Sequence, residues 1–138
     1  MLQMNPEIRA KWASKLRSGE FRQGVEYLAY DDPSDGVRKY CCMGVLCELA
    51  AEEGVVTGEV IENTVYYGAD GDNRVLPEEV INWAELSDSN PDLRPYKPSD
   101  KWYRGQQYQM SCADANDGER LSFSEIADLI DGGVDGDS

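Results

Sequence analysis

The sequence predicts an α+β fold: a single domain with about four helices packed on a small, mostly antiparallel sheet. Three observations predict it. Both ends of the chain carry helices with legible caps. A strongly apolar helical stretch, Cys41–Glu53, lies between them. Elsewhere, runs of β-branched and aromatic residues alternate with Asp-, Asn- and Gly-rich turns.

The first helix is expected over residues 6–18. Asn5 is a good N-cap, Pro6 suits the first helical position, and Glu7 suits the positive end of the helix. Ile8, Trp12 and Leu16 form one apolar stripe, and Gly19 ends the helix. Phe21–Tyr30 reads as extended, through the loose alternation of Val25, Tyr27 and Ala29. Asp31–Gly36 is a loop, and Val37–Tyr40 is expected to pair back across it as a hairpin. In the second helix Cys42, Val45, Leu46, Leu49 and Ala50 share a face, widened by Met43, Cys47 and Ala51. Only Glu48, Glu52 and Glu53 demand water, so the helix is expected to be central. Gly44 in its interior predicts close approach by another element, and Gly54 ends it.

Val55–Tyr67 reads as one or two short strands and Ala69–Asn73 as a turn. Pro77, Glu78 and Glu79 open a third helix with Val80, Trp83 and Ala84 inward. Ser87–Asp100, with Pro91, Pro95 and Pro98, is read as a long surface loop and Lys101–Met110 as a strand. Asn116-Asp-Gly118 is a turn signal. Ser122 and Glu125 make a capping box for a last helix with Phe123, Ile126, Ala127 and Ile130 on its apolar face. The domain is therefore expected over 1–131, with 132–138 a disordered acidic tail.

The charge balance excludes several classes. Twenty-seven acids against 13 bases give −14, a field that repels nucleic acid and anionic lipid. The readings left are a solvated acidic surface, attraction to a basic protein, or a decoy for DNA. Histidine is absent, so no triad or Cys–His pair forms within one chain. The N-terminus lacks the charge-then-apolar pattern of a signal peptide, and no apolar run approaches the ~18 residues of a membrane span. Free thiols and a cytoplasmic setting are expected.

Cys41, Cys42, Cys47 and the distant Cys112 do not fit zinc, because a helix cannot aim the first three at one point. They read as small core residues, with Cys41 or Cys42 near the helix start as an alternative nucleophile. Asp70-Gly-Asp72 fails the calcium-loop pattern, since Val75 stands where Gly is needed and Ile81 where Glu is needed. No phosphate-binding glycine loop is present and no cofactor is implied. Three clusters put a cation beside a ring, the combination that stacks a base and binds phosphate. They name Arg22, Arg38, Tyr40, Trp102, Tyr103 and Arg104 as candidate ligand-binding residues.

Three stretches together carry a resemblance. They are Asn5-Pro-Glu-Ile-Arg-Ala-Lys-Trp12 running into Leu16-Arg-Ser-Gly-Glu-Phe21, Tyr40-Cys-Cys-Met-Gly-Val-Leu-Cys-Glu-Leu-Ala50, and Asn116-Asp117 with Ser122-Phe-Ser-Glu-Ile-Ala-Asp-Leu-Ile130. The chain resembles a family of small uncharacterised accessory proteins of tailed bacteriophages and prophages. It departs from that pattern at Met43, where a Leu is usual, a volume-conserving change. The resemblance implies a non-enzymatic binding protein acting in the infected cell. That protein would counteract host defence by sequestering a small, signalling nucleotide-type ligand or a host protein, and a homo-oligomer is compatible with the resemblance. It implies no catalytic residues. A DNA-mimic inhibitor and a cysteine-dependent enzyme are the alternatives.

Overall fold

The computed structural model describes residues 2–93 and 110–131. Helix α1 (Pro6–Arg17) begins where its cap predicts. Asn5 Oδ1 accepts from the N–H groups of Glu7 at 2.9 Å and Ile8 at 3.1 Å, satisfying two donors that a helix start leaves free. Ile8, Trp12 and Leu16 are buried, and Gly19 follows at φ 80°. Helix α4 (Phe123–Asp131) carries the expected capping box: Ser122 N–H donates to Glu125 Oε1 and Glu125 N–H to Ser122 Oγ. Its buried face packs on α1, and Arg17 bridges the pair by donating to Asp128 and Asp131.

Helix α2 (Cys42–Glu52) is the centre of the core. Every residue from Cys41 to Cys47 is buried. The element predicted to approach Gly44 is the backbone of Leu28, whose carbonyl also accepts from Cys41 N–H at 3.1 Å. From another element, α1, the Trp12 indole N–H donates to the Cys42 carbonyl at 2.9 Å.

Five short strands form the main sheet: β1 (Arg22–Gln23), β2 (Ala29–Asp31), β3 (Arg38–Tyr40), β4 (Gly58–Ile61) and β5 (Thr64–Tyr67). Their spatial order is β1-β3-β2-β5-β4, and only the β1–β3 pairing is parallel. With side chains alternating along each strand, the pairing fixes two faces. Ala29, Val65 and Tyr67 are buried on the inner face toward α2, and Arg38 and Tyr40 share that face. Arg22, Lys39, Tyr30, Thr64 and Tyr66 belong to the outer face. The fold is α+β, as predicted.

The structure corrects three local expectations. Phe21–Tyr30 is not one strand: Arg22–Gln23 and Ala29–Asp31 are separated by a reversal at Val25–Tyr27. Long-range bonds impose it, since Leu28 N–H donates to Asn73 O while its carbonyl serves Cys41. Ser87–Asp100 is not all loop: β6 (Asp92–Leu93) pairs with β7 (Met110–Ser111), anchored by buried Leu93 and Met110. Asn116–Gly118 is not a simple turn but part of a π-helical segment, Asp114–Gly118. Ser111 and Asp114 cap that segment reciprocally. Helix α3 (Glu78–Ala84) forms with Val80 and Ala84 buried, while Trp83 is only half-buried. The predicted features at 94–109 and the tail 132–138 lie outside the described residues.

Candidate functional site

Of the six residues proposed from sequence, the three that are described fall on two different faces of the sheet. Arg22 is exposed on the outer face of the sheet, and Arg38 and Tyr40 lie on the inner one. The Arg38 guanidinium grips the Asp31 carboxylate with both prongs, at 2.6 and 3.0 Å. Tyr40 packs edge-on against Phe21, with ring centroids 5.0 Å apart. Trp102, Tyr103 and Arg104 lie outside the described residues.

The acidic loop after β2 occupies the neighbouring cation in the same way. Lys39 Nζ lies 2.7 Å from Asp32 and 3.2 Å from Asp35. The Lys39 ammonium, followed by the Ser34 N–H and hydroxyl, pulls the Asp32 carboxyl down to about 2. Folding thus favours the ionised form. The stabilisation is complete above the unfolded value near 3.8 and is lost as pH falls toward about 2. Carboxyl-carbon NMR is expected to place the Asp32 midpoint near that lower value, and Lys39→Met should return it toward 3.8. An unshifted wild-type midpoint would mean that the pair does not persist in solution.

A different set of residues does converge, around the reversal at Glu26. Tyr27 N–H donates to the Val25 carbonyl at 2.9 Å, and Glu26 between them has φ 79°. That combination is a γ-turn of the rare positive hand, strained for a residue with a side chain. The turn re-aims the chain that leaves it. Residues three apart on a strand face opposite ways, yet the Tyr27 and Tyr30 rings sit edge to face with centroids 6.1 Å apart. The Arg74 guanidinium lies over the Tyr27 ring, 4.9 Å from its centroid, and reaches the phenol oxygen at 3.4 Å.

Two adjoining cavities share Glu26. The outer one, about 340 Å³, runs from Val25 past Tyr27 and Tyr30 to Pro33, Asn63 and Thr64. The inner one, about 210 Å³, is walled by Glu26, Cys41, Met43, Arg74 and Asp117. Asp117 is presented there by the π-helical segment, its Oδ1 accepting from Asn116 Nδ2 at 2.8 Å. Burial pushes the Cys41 thiol up, with Cys42 beside it adding to the shift. The thiol is therefore neutral at pH 7, despite its place at the start of α2. Burial also raises the thiol of Cys47. What the arrangement offers is recognition: ring faces for stacking, carboxylates for N–H donors, and one guanidinium for an anion.

Sequence reasoning missed Glu26, Tyr27, Tyr30 and Arg74 because nothing local marks them. Tyr27 and Tyr30 read as strand residues, and Arg74 comes 47 positions after Tyr27 in the chain.

Fold and cleft together define a small α+β domain with a tyrosine- and carboxylate-lined recess beside its sheet. The chain matches the domain of unknown function DUF8296 over residues 4–133, and it belongs to that family. No curated protein and no solved structure matches it. Among the described residues no helix is long and apolar enough to cross a membrane.

Proposed function

We propose that the chain is a non-enzymatic accessory binding protein, encoded by a bacteriophage or prophage and acting in the cytoplasm of the infected cell. Its ligand is nucleotide-like and is held in the cleft around Glu26. The observation that carries this reading is the grouping of Tyr27, Tyr30 and Arg74 about a strained γ-turn. Strain of this kind persists where a fold over-determines it, and ligand clamps are such places. A base lies face to face with one tyrosine ring and edge-on to the other, the exposed Glu26 carboxylate accepts N–H groups from its edge, and Arg74 takes a phosphate oxygen. The outer cavity, about 340 Å³, falls within the usual range for small-ligand sites. One guanidinium against a net charge of −14 favours monophosphates and cyclic phosphates over triphosphates. The phage resemblance of the two terminal helices and of α2 supports the accessory role by association.

Calorimetry of the whole chain against a panel of cyclic and linear nucleoside monophosphates tests the reading. Binding is expected for at least one member. Tyr27→Ala should weaken it roughly 10- to 100-fold, the usual worth of one stacked base. Arg74→Ala should weaken phosphorylated ligands while sparing the nucleoside. Silence across the panel would remove the nucleotide and leave a host protein as the target.

A further inference from the structure

Strand β4 ends the main sheet, and among the described residues nothing pairs with its far side. The two-residue turn Glu62-Asn63, at φ 50° and 69°, closes the β4–β5 hairpin. In such a hairpin the pair beside the turn, Ile61 with Thr64, exchanges both backbone bonds, and the pattern repeats at every second pair. Glu59 therefore bonds to Tyr66 and Thr57 to Gly68, the last seen as Gly68 N–H donating to Thr57 O at 3.1 Å. The N–H and C=O groups of Gly58 and Val60 consequently point away from the sheet, to the free edge.

Val60 and Ile61, each 47% exposed, are the large apolar side chains that the described residues leave exposed. Both lie on this strand. Val60 is on the inner face beside buried Val65, where the apolar layer stops short. Glu59 and Ile61 are on the outer face, and Glu62 follows in the turn. The edge carries neither Lys nor Pro, the residues that usually block strand addition.

We infer that β4 is a docking edge for an extended, basic segment of a partner protein. That segment adds antiparallel to β4 through the Gly58 and Val60 backbone groups. It sets a Lys or Arg beside Glu59 and an apolar side chain against Val60. A second copy of this chain fits worse. Pairing Gly58 with Val60 of another copy uses all the free backbone groups, but it sets Glu59 directly against Glu59 between two chains that each carry −14. Centring the pairing on Val60 instead sets Gly58 opposite Glu62, which is already in the turn. The inference extends the binding-protein reading to a protein partner, on residues distinct from those around Glu26.

The test is amide NMR of the whole chain, titrated with the capped peptides Lys-Val-Lys-Val-Lys and Glu-Val-Glu-Val-Glu to millimolar concentration. The basic peptide is expected to shift the amides of Gly58–Glu62 and slow exchange at Gly58 and Val60, more weakly as salt rises. The acidic peptide should leave them unmoved. Val60→Pro removes an edge donor that the β4–β5 ladder does not use, so it should abolish the effect while the hairpin cross-peaks survive. Glu59→Lys should reverse the preference between peptides. The inference is overturned by equal response to both peptides, by no response at β4, or by a response that survives Val60→Pro. It is also overturned if Gly58 and Val60 are already protected in the free chain. Protection that grows with concentration would assign the edge to a second copy, and constant protection to the chain itself. Nucleotide binding unchanged in Val60→Pro separates this test from that of the Glu26 cleft.

Discussion

Gly44→Ala is expected to destabilise the protein by about 3 kcal/mol or more, against the gain that the same change gives most helices. In an ordinary helix interior, Ala is better than Gly by about 1 kcal/mol. Here the new methyl group would overlap the Leu28 carbonyl, which is backbone and cannot rotate aside. Relief requires α2 to move off the chain entering β2. That shift stretches the 3.1 Å bond from Cys41 N–H to the same carbonyl. Overpacking of this kind costs about 1–3 kcal/mol, and a buried donor left unpaired costs about 1–3 more. The penalties exceed the helix gain and take a large share of the ~5–15 kcal/mol that usually holds a domain together. Urea unfolding followed by tryptophan fluorescence measures the difference. Gly118→Ala is the control, because an added methyl there meets nothing within 4 Å. A wild-type midpoint for Gly44→Ala would mean that α2 and Leu28 are not in contact in solution.

That glycine also shows which parts of the fold are legible in the sequence. A helix apolar on nearly every side, interrupted by the residue that most weakens helices, has few explanations other than close packing, and Leu28 supplies it. The ends of α1 and α4 are legible for a related reason: Asn5 and the Ser122–Glu125 pair act on backbone groups within a few residues. The γ-turn at Glu26 has no such local cause. Val25, Tyr27 and Ala29 alternate as a strand would, and the chain reverses because Leu28 bonds to Asn73 and Cys41. The candidate site inherits that opacity, since Arg74 reaches Tyr27 only once the turn exists. Arg38 illustrates the converse. Its charge reads as available in the sequence, and the register sets Asp31 opposite it.

Asn116→Leu is expected to cost about 3 kcal/mol, comparable to a large core deletion, although the substitution fills a buried site with an apolar side chain. Asn116 is 1% exposed, and every hydrogen-bonding position of its amide is used. Its oxygen accepts from Gln23 Nε2 at 2.8 Å and from Cys42 N–H at 3.2 Å. Its nitrogen donates to the Gly24 carbonyl and to Asp117 Oδ1, both at 2.8 Å. Cys42 is the first residue of α2, and its N–H is one that a helix start leaves free. Cys41 at the N-cap makes no side-chain cap bond, so the cap comes from a residue 74 positions away. Leu would strand the Cys42 donor and the Gly24 acceptor in the interior, at about 1–3 kcal/mol each. Asn116→Asp separates hydrogen bonding from packing. It keeps the two acceptor bonds but sets a carboxylate against the Gly24 carbonyl and Asp117. Burial and those neighbours would raise the pKa of the new carboxyl group above its unfolded value. Its deficit relative to wild type should therefore be largest at neutral pH and shrink as pH falls through that raised pKa, where the protonated acid can donate to Gly24. Urea midpoints of both proteins at pH 7 and pH 5 measure that difference. A pH-independent deficit would mean that shape, not the donor to Gly24, is what α2 requires of this position.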